Sequence, residues 1–385
     1  MRRSSLICLC AALAACGGTG GGNGLGSGDA GTDAGTSFDG GPAAAMPRIS
    51  QGAPAYASDG SSANAATASS KTNIASTYES NGVPMSVAID LSATPIAQRQ
   101  QVLIAWYAPK TQDFILDLDC ALTCAANAGG MAFSEIPIDY TLEMNTAAGG
   151  GAPPAGGWVN LTTVTGNNRS SRQFLGNLNG ANWVRMSVSA GISISKVGIA
   201  IDVHSAPAGD TDSWLFMGDS NTAFTMPRPF SDLPYLVNAL KPTHFPAVIG
   251  AGIGGTNTVT AQATIDGNLS LFPGRFVVLA YGTNDSATNY QMETLVTRVI
   301  AAGKTPVIPH ILWSATANIQ AIGPSINAQI DALYAKYPEI LPGPDLWDHF
   351  QGHTEWIPST DIHVNAAGQE ELRNQWAAVM ASVAL

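Results

Sequence analysis

The feature that most constrains the fold of this chain is a change in hydrophobic pattern close to residue 210. Before it, from about Thr72 to Ala206, short apolar segments alternate with turn-rich gaps of Gly, Asn and Pro. After it, apolar runs of strand length alternate with segments of helix length. The first pattern is typical of an antiparallel β-sandwich, and the second of a parallel sheet covered by helices. The sequence therefore predicts two folded parts joined at His204–Asp212.

The first part, residues 71–206, is predicted to be an accessory β-sandwich. Its segments with the alternating pattern of half-buried strands are Met85–Leu91, Gln101–Tyr107, Tyr140–Met144, Trp183–Val188 and Ser195–Asp202. Short strands at this spacing, separated by turns, are what two packed antiparallel sheets require.

The second part, residues 213–385, is predicted to be an α/β domain. Its predicted strands are Trp214–Met217, Ala247–Ile249, Phe276–Tyr281, Thr305–Leu312 and Leu341–Trp347. Its predicted helices are Met226–Leu240, Thr258–Leu271, Tyr290–Ala302, Ile319–Tyr337 and Asn365–Val383. Right-handed crossovers between parallel strands place helices on both faces of the sheet. We therefore expect a three-layer α/β/α domain with its site beyond the carboxyl ends of the strands.

The N-terminal segment has the composition of a targeting signal. Two arginines precede the apolar run Leu6–Ala15, which is too short to span a bilayer as a helix. The sequence Leu13–Cys16 that ends this run resembles the lipobox of bacterial lipoproteins. The resemblance implies cleavage before Cys16, lipidation of that cysteine and anchoring in the cell envelope, with the outer membrane as the expected destination. An ordinary secretory signal is the alternative.

Residues 16–70 are predicted to be a disordered tether. Between Gly17 and Ala45 twelve residues are glycine, and only Leu25 and Phe38 are large and apolar. Such a segment cannot bury enough apolar surface to offset the conformational entropy that ordering would remove. As a flexible coil, the tether would span about 30 Å.

Cysteine and charge content limit the cofactors and partners. Once the signal is removed, Cys120 and Cys124 remain as a pair whose spacing predicts a small local disulfide in an oxidising compartment. No cofactor and no catalytic metal are expected, and calcium at Asp117 and Asp119 stays open. The net charge of −11 comes without clusters of Lys and Arg, which excludes nucleic acid as an expected partner. Contact with a membrane is expected only through the lipid anchor.

Four short blocks of the second part carry residue types used in acyl transfer. They are Gly218–Asn221, Gly250–Thr256, Gly282–Asp285 and Thr360–Asn365, the first three directly after predicted strands. In this order the blocks resemble those of the SGNH (GDSL-type) hydrolases, over roughly Ser213 to the C-terminus. The resemblance implies a serine ester hydrolase.

The resemblance also implies a role for individual residues. Ser220 is the implied nucleophile and His363 the general base, because imidazole titrates near neutrality and can take the serine proton. The implied oxyanion hole consists of the backbone N–H of Ser220, the backbone N–H of Gly255 and the side chain of Asn284. The flanking residues of the site loops are Asp219, Gly254 and Asp285.

The last block departs from the family pattern. Most members carry Asp three residues before the histidine, whereas here Thr360 holds that position and Asp361 lies two residues before His363. Asp361 is expected to orient the imidazole if the turn is tight. Otherwise a backbone carbonyl orients the ring and a Ser–His dyad operates. Upstream, the segment 343–356 resembles the esterase branch of the family. This resemblance implies that four residues line or border the acyl pocket: Trp347, His349, Phe350 and Trp356. For the two tryptophans, core packing is the alternative.

The first part resembles the galactose-binding, discoidin-like jelly rolls in the order of its segments "YTLEMNT", "WVNLTTVTGNN", "NWVRMSV" and "ISKVGIAI". This resemblance implies carbohydrate contact through loops at one end of the sandwich, and the alternative is a packing partner without a ligand. Together the resemblances imply an extracytoplasmic esterase acting on acetylated carbohydrate or another small ester. The alternatives are a lipolytic or general short-chain acyl esterase, and a surface carbohydrate-binding lipoprotein whose hydrolase domain has lost activity.

Overall fold

The computed structural model describes residues 46–60, 62–67, 78–80, 82–107, 136–167, 169, 171–191, 197–207, 209, 212–225 and 233–383. The predicted signal, the lipidation site Cys16 and the pair Cys120 and Cys124 lie outside the described residues. Those three expectations therefore stay predictions.

The N-terminal part forms two antiparallel sheets. Their strands are β1 (Ala55–Ala57), β2 (Tyr78–Glu79), β3 (Met85–Asp90), β4 (Gln101–Tyr107), β5 (Pro137–Asn145), β6 (Val159–Val164), β7 (Ser171–Asn177), β8 (Trp183–Gly191) and β9 (Gly198–Ser205). One sheet has the order β1-β3-β8-β5-β6 and the other the order β2-β9-β4-β7. Side chains of both sheets, such as Val87 of β3 and Ile104 of β4, share one buried apolar core. The prediction of antiparallel sheets in this part is confirmed.

The boundary expected at residue 70 is wrong. Ala55–Ala57 pairs antiparallel with β3, and Met46 is 1% exposed. These residues lie among Gly, Ser and Ala, so no hydrophobic alternation marks them in the sequence. The ladder hydrogen bonds of a strand depend on the backbone and require no particular side chain. The folded part therefore begins well before the predicted end of the tether.

The C-terminal part forms a five-stranded parallel sheet, as predicted. Its strands are β10 (Ser213–Gly218), β11 (Ala247–Gly252), β12 (Phe276–Ala280), β13 (Thr305–His310) and β14 (Leu341–Asp345), in the order β11-β10-β12-β13-β14. Its helices are α1 (Ser220–Thr225), α2 (Leu233–Leu240), α3 (Thr258–Leu271), α4 (Met292–Ala301), α5 (Ala317–Lys336), α6 (Leu346–Gln351) and α7 (Ala366–Ser382). Along β10 the buried side chains alternate between the two faces of the sheet. Leu215 and Met217 pack with α3, α4 and α5, whereas Trp214 and Phe216 pack with α2, α6 and α7.

The sandwich packs against the edge of the parallel sheet. Leu103 and Ala105 of β4 turn away from the sandwich core and belong to apolar clusters that include residues of the α/β part. The hydroxyl of Ser171 on β7 donates to the carbonyl of Gly250 on β11. The guanidinium of Arg48 contacts Asp202 of β9 at 3.1 Å and also donates to the hydroxyl of Tyr235 on α2 at 2.8 Å. These contacts place β4 and β9 between two packed surfaces and explain why every residue of β9 is buried.

Across the described ranges, no helix combines the length and apolar character that crossing a membrane requires. Within the same ranges, no three His, Cys, Asp or Glu side chains cluster in a way that could hold a metal ion.

Candidate active site

Ser220 stands where β10 turns into α1. The strand ends at Gly218, and Ser220 is the first residue of the helix, so a single residue separates the two elements. A Cβ atom on Gly218 would overlap the side chain of Thr222 and lie 2.7 Å from the carbonyl oxygen of Ala280. The turn therefore requires glycine at this position, and it holds the Ser220 side chain at the carboxyl end of the sheet.

The side chain of His363 contacts that of Ser220, although the two residues are 143 positions apart in the chain. The Oγ atom of Ser220 and the Nε2 atom of His363 are 2.9 Å apart, which is hydrogen-bond distance. His363 lies in the segment between a short 3-10 turn (Thr354–Trp356) and α7. Its side chain is 38% exposed, whereas Ser220 is 4% exposed. A buried hydroxyl thus faces an imidazole that solvent can reach.

Asp361 reaches the other nitrogen of the same imidazole. Its Oδ1 atom lies 2.8 Å from Nδ1 of His363 and also accepts the backbone N–H groups of Ile362 and His363, at 2.7 and 3.1 Å. Burial acts to raise the pKa of Asp361, but these hydrogen bonds outweigh it and hold the pKa below its ordinary value. Thr360 is exposed. The structure therefore brings Asp361, and not the residue three positions before the histidine, to the ring.

The glycine block and Asn284 meet beside the nucleophile turn. Asn284 donates from Nδ2 to the carbonyl of Thr256 at 3.0 Å, and the hydroxyl of Thr256 donates to the carbonyl of Gly218 at 3.1 Å. Gly255 has a φ of +78°, a backbone conformation that favours glycine. Gly254, just before it, is buried. The loops after β10, β11 and β12 are thus joined by side-chain hydrogen bonds, and one amide hydrogen of Asn284 remains for another acceptor.

Two buried carboxylates support these loops. Burial raises the pKa of Asp219 to about 6, although hydrogen bonds from the Asn221 N–H and the Thr283 side chain act to lower it. Burial also raises the pKa of Asp285, against hydrogen bonds from Thr258. The Asp285 carboxylate accepts the backbone N–H of Thr258 at the start of α3. It thereby ties the loop that carries Asn284 to the helix that follows the glycine block.

Ser314 is a site residue that the sequence analysis misses. Its hydroxyl donates to the carbonyl of Asp361 at 2.7 Å, and it is 1% exposed. Ser314 follows β13, the fourth strand of the sheet in chain order. Its place just beyond the carboxyl end of a strand is the signal that could have found it.

Of the four residues expected at the acyl pocket, two pack in the core. Phe350 is 0% exposed within the apolar layer on the α7 side of the sheet. The ring of Trp347 packs against Gly323 of α5 so closely that no Cβ would fit there. His349 lies 2.8 Å from a carboxylate oxygen of Glu371, and its ring stacks on Trp356. The expected pocket position of Phe350 is therefore wrong, because its side chain lies in the core, and for Trp347 the alternative of core packing holds.

Comparison with known proteins gives one family match. Residues 216–371, most of the α/β part, match the GDSL-like Lipase/Acylhydrolase family. No curated protein is similar enough in sequence to be matched to this chain.

Several solved structures are similar to less than half of this chain. A variant of an acetyl xylan esterase from Geobacillus stearothermophilus is 16% identical, with a TM-score of 0.37, over 46% of this chain and 98% of its own. The lipase/acylhydrolase from Enterococcus faecalis is 19% identical, with a TM-score of 0.36, over 44% and 95%. Chitosan-binding module 1 of a chitosanase/glucanase from Paenibacillus sp. IK-5 is 14% identical, with a TM-score of 0.27, over 41% and 98%. At these TM-scores the similarities say nothing about the substrate of this chain.

Proposed function

We propose that this chain, whose residues 216–371 match the GDSL-like Lipase/Acylhydrolase family, is a serine ester hydrolase that removes acetyl groups from carbohydrate by Ser–His–Asp acyl transfer. The observation that carries the proposal is the continuous line of contacts from Ser220 Oγ to His363 Nε2, at 2.9 Å, and from His363 Nδ1 to Asp361 Oδ1, at 2.8 Å. A nucleophile, a base within hydrogen-bond reach and a group that orients the base are the parts that such a reaction requires.

In the proposed reaction, Ser220 Oγ attacks the ester carbonyl carbon while His363 Nε2 takes the hydroxyl proton. Asp361 accepts the Nδ1–H of the imidazole, which fixes the tautomer and stabilises the imidazolium. His363 then gives its proton to the departing alcohol oxygen, leaving an acyl group on Ser220. In the second half, His363 activates a water molecule that releases the acid and restores the serine.

The negative charge that develops on the carbonyl oxygen needs donors already in place. The proposed donors are the backbone N–H groups of Ser220 and Gly255 and the free amide hydrogen of Asn284. Ser220 opens α1, where backbone N–H groups have no partner within the helix. The Thr256 carbonyl fixes the other amide hydrogen of Asn284, so this side chain is oriented before substrate arrives. Donors oriented in advance stabilise a transition state without a reorganisation cost.

A neutral substrate suits the charges of the site. The four blocks contain the carboxylates of Asp219, Asp285 and Asp361 and no Lys or Arg. An acetyl ester on a sugar carries no charge, whereas a phospholipid would bring a phosphate close to these carboxylates. Acetylated carbohydrate is therefore the proposed substrate class.

The decisive experiment measures acetate release from acetylated xylan and acetylated glucomannan, alongside hydrolysis of p-nitrophenyl esters of increasing chain length. Wild-type protein should release acetate and favour the shortest ester. Ser220→Ala should lower kcat by at least about 10⁴-fold. Ser286→Ala, at an exposed serine of the neighbouring loop, is the matched control and should keep wild-type rates.

Two outcomes would contradict the proposal in different ways. A preference for long acyl chains would mean that the substrates are lipid-like esters and not sugar esters, while the serine mechanism would still hold. Failure of Ser220 to react with a fluorophosphonate probe would instead favour a binding protein without activity.

The proposed location is the cell envelope, with the protein anchored through lipid on Cys16. The support is the lipobox-like sequence Leu13–Cys16 after a short apolar run. Labelling with radioactive palmitate should mark the wild-type protein and not Cys16→Ala. A Cys16→Ala protein that is still processed and still bound to membrane would contradict this location.

A further inference from the structure

Asn221 makes contacts to which the proposed reaction assigns no role. It follows Ser220 on the first turn of α1 and is 7% exposed. Its Nδ2 atom donates to the carbonyl of Ile362 at 3.0 Å, and its Oδ1 atom accepts the backbone N–H of Val364 at 3.4 Å. Ile362 and Val364 are the two neighbours of His363 in the chain. One side-chain amide therefore spans the backbone that carries the imidazole.

The backbone of Asn221 is itself held in place. Its backbone N–H donates to Oδ1 of Asp219 at 2.9 Å, and the carbonyl of Asp219 accepts the N–H of Ala223. The residue is thus fixed to the turn that presents the nucleophile. Because Ser220 and Asn221 are neighbours on one helical turn, a displacement of the serine displaces the amide, and through it the histidine segment.

We propose that Asn221 is a positioning residue that keeps His363 Nε2 within hydrogen-bond distance of Ser220 Oγ. The inference rests on the proposed function, because it assigns Asn221 to the same serine chemistry. The histidine segment lies outside helices and strands, and the side chains of Asp361 and His363 are 48% and 38% exposed. An irregular, partly exposed segment needs side-chain hydrogen bonds to keep one conformation. Misplacement of a reacting group by about 1 Å can lower the rate about 10²-fold.

The chemistry of the amide explains why asparagine suits this position. A side-chain amide offers a donor and an acceptor at one end, which match the Ile362 carbonyl and the Val364 N–H. Aspartate has the same shape but only acceptors when ionised, so one oxygen would face the Ile362 carbonyl without a hydrogen. Alanine removes both bonds and adds no charge. The two substitutions therefore separate loss of the bonds from the introduction of a charge.

The first experiment compares Asn221→Ala and Asn221→Asp with a control at Asn238, using an acetyl ester as substrate. We expect kcat to fall about 10- to 100-fold in both Asn221 variants, with KM within about twofold of wild type. Asn238 on α2 makes the same kind of bond, from its Nδ2 to the carbonyls of Pro242 and His244 at 3.0 and 2.9 Å. Asn238→Asp should lose thermal stability and keep kcat. Folded Asn221 variants with kcat within about twofold of wild type would overturn the proposal.

The second experiment tests whether Asn221 acts through His363. In a His363→Ala background, Asn221→Ala should change the residual rate by less than about twofold, because the group that it positions is gone. If Asn221→Ala lowers the rate by the same factor with and without His363, its role is general to the fold and the proposal is wrong. Ser220→Ala, assayed in parallel, tests the proposed function by itself, so the two failures can be told apart.

Discussion

The two halves of the candidate site are built in different ways. On the nucleophile side, Asp219, Ser220 and Asp285 follow the ends of parallel strands and are 3%, 4% and 7% exposed. On the histidine side, Asp361 and His363 lie on a segment without regular structure, and their side chains are 48% and 38% exposed. The first half follows strands that ladder hydrogen bonds hold in a sheet, whereas the second half has no ladder and depends on hydrogen bonds of turns and side chains. We infer that the strand ends fix the position of Ser220, and that the histidine segment adopts the conformation that brings His363 to it.

This difference explains the departure from the family pattern in the last block. A residue at a buried strand end cannot move by one position without displacing its neighbours. In the exposed segment, the backbone N–H of Asp361 donates to the carbonyl of Pro358 at 3.0 Å, which makes a tight turn. That turn brings a carboxylate two residues before the histidine to Nδ1. An exposed loop can therefore place a carboxylate oxygen next to Nδ1 of the histidine from a different position in the sequence.

The largest effect expected, apart from loss of the nucleophile, comes from removing Asn284 on the strand-end side. Asn284→Ala should lower kcat about 10²- to 10³-fold, because a fixed donor to the developing oxyanion is lost. Steady-state hydrolysis of a short-chain ester measures this effect. Asn289→Ala, at an exposed asparagine of the same loop, is the control and should match wild type. A decrease smaller than about tenfold would mean that the oxyanion lies elsewhere.

A smaller effect is expected from Asp361→Asn on the histidine side. Loss of the carboxylate of a buried triad lowers kcat by about 10⁴-fold, largely because the imidazole takes the wrong tautomer. Here the carboxylate is half exposed, so water can accept the Nδ1–H in part, and we expect a decrease of about 10²-fold. The measurement is kcat for the same ester. If Asp361→Asn keeps nearly full kcat, a Ser–His dyad operates and Asp361 only shapes the turn.

The same difference explains which features of the structure could be predicted from the sequence. The parallel sheet and its helices could be predicted because apolar runs with buried neighbours on both faces leave a strong pattern. For instance, the helix predicted at Thr258–Leu271 has those bounds in the structure. The site blocks could be placed because strands of a parallel sheet end at one edge. These features depend on residues that are close together in the chain.

Contacts between distant segments could not be predicted in the same way. Asn221 and the Ile362 carbonyl are 141 positions apart, and nothing in either neighbourhood indicates the other. The strand Ala55–Ala57 lacks hydrophobic alternation in the sequence and is ordered by its pairing with β3. Phe350 lies in the core because of where α6 packs, although its motif also fits a pocket. In each case the deciding interaction is absent from the local sequence.

The smallest effect concerns two of the three carboxylates of the site, Asp219 and Asp361, whose pKa values shift in opposite directions. Burial raises the pKa of Asp219 from 3.8 to about 6, whereas hydrogen bonds to His363 and Ile362 lower the pKa of Asp361 despite its burial. A raised pKa means that the folded state binds a proton more tightly than the unfolded state. Asp219 therefore lowers the free energy of unfolding as pH rises from about 4 to about 6. Asp361 acts in the opposite sense, and its stabilising contribution is lost as pH falls below about 4.

Asp219→Asn should remove the first of these dependences and keep the second. We expect its free energy of unfolding to gain on the order of 2 kcal/mol relative to wild type between pH 4 and pH 6, because the amide carries no charge to bury. The amide oxygen can still accept the N–H of Asn221, so the turn keeps that hydrogen bond. Urea unfolding at several pH values measures the difference, with Asp361→Asn as the opposite control. If the free energy of unfolding changes with pH in the same way for wild type and Asp219→Asn over this range, the Asp219 carboxylate is stabilised as well in the folded protein as in water. The two halves of the site would then differ only in exposure.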